Sequence, residues 1–167
     1  MISNIHSRKL PISAEKAGIL IDLLSSDRDK LWPRQNWPPM KLDRPLAVGA
    51  TGGHGPIRYF VSGYEQGQSI SFTFVAPKGF DGTHAFKLTS NAPMSCTLTH
   101  SIEMNTTGLA CLSWPLIFGP MHDALIEDSL TLAEQFADVE KPSKRPWSLW
   151  VQCLRLLFRK ISRRRPT

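Results

Sequence analysis

The side chains in this sequence suited to moving protons or gripping an oxygen-bearing ligand are a few histidines, an aspartate and an arginine, none of them close neighbours. His122 stands at the edge of an apolar helical stripe, one turn from Phe118 and Ile126. An imidazole there can hydrogen-bond a ligand carbonyl or phenol, act as a general base, or sit as a core histidine satisfied by its neighbours. Asp128 lies on the other border of that stripe, where a structural hydrogen bond or an ion pair with Arg58 competes with an acid–base role. His84 alternates with Phe86 and lines a pocket if their strand face is concave, or lies on the surface if it is not. His54 sits in a glycine-rich turn (Gly49, Gly52, Gly53, Gly55) that lets it approach a ligand. Arg58 can fork onto a carboxylate or phosphate, or serve as a strand-edge arginine. The catalytic candidates are thus His122, His84 and Asp128.

No metal site is expected. His54, His84, His100 and His122 have no i, i+4 partner and no Cys or Glu close by in sequence. Cys96, Cys111 and Cys153 are odd in number and widely spaced, which fits neither a disulfide framework nor a metal knuckle and points to a reducing compartment. The four glycines lack the strand–turn–helix frame and the spacing of a dinucleotide fingerprint, so no cofactor is expected either.

These residues need elements to hold them. Ile2 to Ile12 suits a first strand; Ser13 can cap a helix over Ala14 to Leu24 that carries Ala17, Leu20, Ile21 and Leu24 at helical spacing. From Asp27 to Pro45 four prolines exclude long regular elements, while Trp32 and Trp37 demand burial or lid a cavity mouth. Strands follow at Ile57 to Tyr64, Ser69 to Val75, Thr83 to Thr89 and Ser95 to Met104, separated by turns. A long helix runs from about Pro115 to Ala137. Its inner stripe is Phe118, Met121, Leu125, Ser129, Leu132 and Phe136, and Asp123, Glu127 and Glu134 fall on the opposite, solvated side. A meander of strands closes most simply as a curved antiparallel sheet, with the long helix on its concave face. The fold class is therefore α+β, a grip of sheet around helix.

The chain has 167 residues, 41% hydrophobic and 20% charged, with a formal net charge of +6. Nine of the twenty basic residues lie beyond position 140, where there is no acidic residue. The rest of the chain holds eleven basic against fourteen acidic side chains, a net of −3. The expected organisation is a domain over 1–140, a basic linker over 141–146 and a basic amphipathic helix over 147–167. In that helix Trp147, Trp150, Leu154, Leu157 and Phe158 share one side, with Arg159 and Arg163 on other faces. Such a helix suits an anionic membrane surface or a partner's groove, or folds back on the body. Nucleic acid is not favoured, because the arginines cluster at the extreme end without a basic patch on the body. The charge-free run Met104 to Met121 contains polar residues, glycines and prolines, which argues against a membrane span. No apolar run follows Arg8 and Lys9, so a leader is not expected, and the expected location is the cytoplasm, peripheral to the inner face of the membrane.

Several local stretches resemble the START-like superfamily, also called SRPBCC or polyketide cyclase/dehydrase-like, and a bacterial branch of it in particular. They are Leu31-Trp32-Pro33 with Trp37-Pro38-Pro39-Met40, and Gly52-Gly53-His54-Gly55-Pro56-Ile57-Arg58-Tyr59. Also similar are Gly79-Phe80-Asp81-Gly82 with His84 and Phe86, Trp114-Pro115-Leu116, and His122-Asp123-Ala124-Leu125 with Glu127-Asp128. The resemblance spans roughly residues 5 to 138. It implies a helix-grip fold with a ligand cavity between sheet and helix, and no transferable catalytic residue. The expected guest is a hydrophobic small molecule, lipid or aromatic. Its expected contacts are His54, Arg58, Phe72, Phe74, His84, Phe86, Phe118, His122, Leu125 and Ser129. A cyclase- or dehydratase-like enzyme and an interaction protein docking through its tail are the alternatives.

Overall fold

In the first strand the even-numbered residues turn inward, and three of them, Asn4, His6 and Arg8, are polar. This strand, β1 (Ile2–Leu10), is the edge of a seven-stranded antiparallel sheet seen in a computed structural model. The structure describes the backbone of residues 1–163 and side chains as far as Phe158. The other strands are β2 (Lys41–Leu42), β3 (Thr51–His54), β4 (Ile57–Glu65), β5 (Ser69–Ala76), β6 (Phe80–Ala92) and β7 (Ser95–Thr106). They lie in the order β1-β7-β6-β5-β4-β3-β2. β3 to β7 form a meander, and β1 joins it by pairing with β7, His6 directly opposite His100. Register shifts between β4 and β5 at Arg58/Tyr59 and Val61/Gly63 help curl the sheet.

The alternation is cleanest on β7, where Cys96, Leu98, His100, Ile102 and Met104 are all buried on the concave face. The glycine-rich stretch differs from the expected flexible turn. Gly52 and Gly53 belong to β3, and a Cβ on either would collide with the backbone of Lys41 or Ile57 across the ladder. Only glycine permits that close pairing.

α1 (Ala14–Asp22) starts at Ser13, whose Oγ accepts from the Lys16 backbone N–H at 3.2 Å. It packs on β6 and β7 and fills one end of the concave face. The approach is tight because Gly18 faces Gly67, where a Cβ would come within 2.6 Å of backbone. Asp22 ties the same hairpin, accepting from the Gly67 N–H at 2.7 Å and the Tyr64 hydroxyl at 2.8 Å. The other end of the concave face is left for the long helical segment and the tryptophan loop. That segment runs without a break as α2 (Ala110–Ser113), a π-helical turn (Trp114–Phe118) and α3 (Gly119–Phe136). It begins a little earlier than the sequence suggests.

The solvated face expected on α3 is not there. Glu127 and Glu134 are buried, and Asp123 is hydrogen-bonded although half exposed. The reason is β1. Asn4 donates to Asp123 at 2.9 Å; His6 reaches Asp123 (3.2 Å) and Glu127 (2.9 Å); Arg8 reaches Glu127 (2.7 Å) and Glu134 (3.6 Å). Inward residues of a strand recur every ~6.7 Å, close to the ~6 Å spanned by four helical residues, so strand and helix can zip together side by side. The segment over 141–146 covers the rest: Ser143 donates to Glu134 from both N–H (2.6 Å) and Oγ (3.0 Å), and Arg145 lies 3.3 Å from Glu127.

α4 (Leu149–Arg163) folds back on the body, burying Val151 and Leu154. Among the described residues no helix is long and apolar enough to cross a membrane.

Candidate functional site

Between the sheet and the long helical segment lies a cavity of about 820 Å³, within the size range of small-molecule sites. Its floor is the concave face of the meander, including His54, Ile57, Phe74, His84, His100 and Ile102. Its wall is the helical segment, with Trp114, Phe118, Met121, His122 and Leu125. The π-helical turn aims Trp114 and Phe118 at Phe80, at centroid distances of 5.8 and 5.2 Å. Gly119 makes room for this, since a Cβ there would lie 3.0 Å from the Trp114 carbonyl. Inserted π turns recur at functional sites because they re-aim side chains. The rim is Trp32, Trp37, Arg58, Arg155 and Phe158.

All five histidines of the chain join one file of rings that crosses this cavity. The His54 Nδ1 and Tyr59 hydroxyl are 3.1 Å apart, and Tyr59 lies edge-on to His84 at 4.9 Å. His84 is 5.6 Å from His100, His100 is 4.9 Å from His122, and His122 is 5.9 Å from His6. His84 Nε2, His100 Nδ1 and His122 Nε2 are buried without a hydrogen-bond partner among the described residues. Burial pushes the His84 and His100 pKa values well below the ordinary value, with neighbouring histidines adding to the effect. Burial, with help from His122 and Arg58, lowers His54 to about 3. His122 is also lowered by burial, against the opposing pull of Asp123. The cavity imidazoles are therefore neutral bases at pH 7. His6, outside the cavity, is raised by its hydrogen bond to Asp123, with Glu127 adding to the effect against burial. Burial opposes ionisation of Asp123, but hydrogen bonds from His122, His6 and Asn4 together hold its pKa below the usual carboxylate range.

Of the residues expected from sequence, His54, Arg58, Phe74, His84, Phe118, His122 and Leu125 line the cavity. Three do not. Phe72 and Phe86 are fully buried, Phe72 stacked on His84 at 4.7 Å and Phe86 edge-on to His100 at 4.6 Å. Ser129 is fully buried one turn past Leu125, beyond the lining. Asp128 also leaves the cavity. Its Oδ2 accepts from the Trp37 and Trp147 indoles at 2.8 and 3.2 Å. Arg58 turns its Nη1 to the Gly55 and Ile57 carbonyls, both at 2.8 Å. Sequence reading missed His6 and His100 as site residues. The inward alternation of β7 pointed to His100, whereas His6 enters only through the β1–β7 register.

The tail helix contributes to the rim. Arg155 lies over both Trp37 and Trp147, at 4.3 and 3.8 Å from the ring centroids. The Trp150 indole donates to the Leu116 carbonyl at 2.7 Å. Of the residues expected to touch a membrane or partner, Leu154 is covered by the body and Trp147 is largely so, because they pack under this latch. Trp150 and Leu157 remain exposed beside Leu149 and Leu156, and Phe158 sits at the rim. The Arg159 and Arg163 side chains lie outside the described residues.

No family model and no curated protein matches the sequence. Solved structures do match in fold. A protein of Thermobifida fusca aligns with a TM-score of 0.65 and 15% identity over 87% of this chain and 100% of its own. CalU16 of Micromonospora echinospora gives 0.57 and 12% over 95% and 84%. Norcoclaurine synthase of Thalictrum flavum, solved with a transition-state analogue, gives 0.59 and 13% over 84% and 98%. The architecture of this chain is the helix-grip fold that these proteins share.

Proposed function

We propose that this chain binds a mostly apolar small molecule, lipid or aromatic, that carries oxygen functions able to reach the cavity histidines. One observation carries the reading: a mostly apolar hollow of about 820 Å³ is lined by four imidazoles, those of His54, His84, His100 and His122. A guest's rings laid against Phe74, Phe118 and Leu125 supply the binding energy through buried apolar area, and a carbonyl or hydroxyl that hydrogen-bonds a lining imidazole orients it. The likeness to norcoclaurine synthase, which was solved holding a small molecule, supports such a use of the fold. Native mass spectrometry of gently purified protein tests it. The expected result is a copurified guest, or uptake of an apolar dye such as anilinonaphthalene sulfonate; a protein that carries neither counts against the proposal.

A second reading, an acid–base catalyst of the cyclase or dehydratase kind, draws support from His84 and His122 lining one cavity as free bases. Deuterium exchange next to the carbonyl of a cavity-bound ketone, lost in His122→Gln, is its expected signature. Membrane-surface or partner docking draws on the exposed Leu149, Trp150, Leu156 and Leu157, next to a basic chain end. Vesicles containing phosphatidylserine are expected to pull the protein down at low salt, and less so with Leu156→Glu and Leu157→Glu combined. Failure to sediment at low salt argues for a protein partner.

A further inference from the structure

The seam where β1 meets α3 holds a second feature, separate from the cavity. One ligand atom from each of His6, His122 and Asp123 lies within 4.8 Å of the other two. The geometry points to a binding site for one divalent ion of the zinc class, held by His6, His122 and Asp123. The edge lengths support it. Asp123 Oδ1 is 3.2 Å from His6 Nε2 and 3.5 Å from His122 Nδ1. In a tetrahedral zinc site with bonds of 2.0–2.1 Å, ligand atoms stand about 3.3 Å apart. Two edges of the triangle are thus already those of a coordination face, with protons shared where an ion would sit.

The surroundings are those of a metal ligand set. His6 turns its other nitrogen, Nδ1, to Glu127 Oε1 at 2.9 Å, and Glu127 is held in turn by Arg8 at 2.7 Å. A carboxylate behind a ligating imidazole fixes the ring's tautomer, so that Nε2 presents its lone pair to the ion. Asn4 lies on the same seam, its amide nitrogen 2.9 Å from Asp123 Oδ1 and its Oδ1 buried without a partner among the described residues. Turning that amide over would supply a fourth ligand, an oxygen. Asp123 is half exposed, which gives an ion a way in. Two imidazoles with carboxylate and amide oxygens suit zinc, cobalt or nickel better than calcium or magnesium.

His122 joins this site to the cavity it also lines. An ion on Nδ1 leaves the ring proton on Nε2 and so fixes the tautomer of a ring against which a guest packs. That consequence rests on the proposed ligand binding; the ion site itself does not.

The test is titration of the full chain, free of any affinity tag and stripped with a chelator, with cobalt(II) and then zinc. One equivalent of cobalt is expected to bind with the intense visible absorption of low-coordinate cobalt, and zinc is expected to abolish it. His6→Gln and Asp123→Asn should each weaken binding at least tenfold. Asp43→Asn, at an exposed carboxylate paired with Arg44 away from the seam, should leave it unchanged. Absence of a stoichiometric band in the unmodified chain, or a band that survives both seam substitutions, overturns the assignment. Anilinonaphthalene sulfonate fluorescence, read in the same samples, reports on the cavity alone. Failure of dye uptake with cobalt binding intact removes the coupling and leaves the ion site standing.

Discussion

The seam and the cavity use the same residue type in opposite ways. At the seam, His6 has each ring nitrogen against a carboxylate, and Arg8 bridges two glutamates. In the cavity, His84 lies against the rings of Phe72 and Phe74, and one of its nitrogens meets no partner among the described residues. Pairing makes the seam a structural joint that docks the long helix. In the cavity the histidines stand instead among aromatic rings, beside a hollow large enough for something that is not part of the chain.

The comparison can be broken by mutation. Glu127→Ala leaves His6 and Arg8 facing a buried gap, and removing one partner of a buried charge network costs about 3–5 kcal/mol. Urea denaturation should show a loss near 3 kcal/mol; a loss under ~1 kcal/mol would mean the joint is not holding the helix.

Acid should attack the cavity. His54 and His84 have folded-state pKa values below the ordinary value of about 6.5, His54 at about 3. Below pH 6.5 the unfolded chain takes up protons that the folded cavity refuses, so stability is full above that value and falls as pH drops toward the folded values. The slope is up to ~1.4 kcal/mol per pH unit for each group. The charged and titratable groups facing them are Arg58, His100 and His122, with Tyr59 hydrogen-bonded to His54. Denaturation midpoints at pH 7.5, 6 and 5 should fall in turn, and less steeply in His84→Phe; a flat profile over that range contradicts the neutral-cavity picture.

Asp128→Ala removes the acceptor shared by Trp37 and Trp147. It should cost ~1–2 kcal/mol and raise hydrogen exchange in α4 before the sheet opens. The smallest effect is expected from His84→Phe at neutral pH. It replaces a nitrogen without a partner by carbon, so stability should move by less than ~1 kcal/mol while affinity for an oxygen-bearing guest drops about tenfold. The same swap at His6 should destabilise clearly, and equal effects at the two positions would erase the distinction.

The meander, the first helix and the grip of sheet on helix were legible because each rests on local alternation, as in Ile70, Phe72 and Phe74, or on a cap such as Ser13. The charged side of the long helix was misread because the same periodicity fits a solvated face and a face zipped to a distant strand. Only the pairing of Asn4, His6 and Arg8 with that face, set by chain topology, separates the two. Phe72 and Phe86 carry the right pattern for a cavity floor, yet both are fully buried against the rings of His84 and His100, which strand periodicity does not encode.

The most direct test follows the imidazole nitrogens by NMR in ¹⁵N-labelled protein as 2-naphthol, an apolar ring with one hydroxyl, is added. Ring nitrogens of His84, His100 or His122 are expected to shift while those of His6 stay in place. If millimolar naphthol moves no cavity nitrogen, or moves only His6, the hollow is not a place where a guest meets those rings.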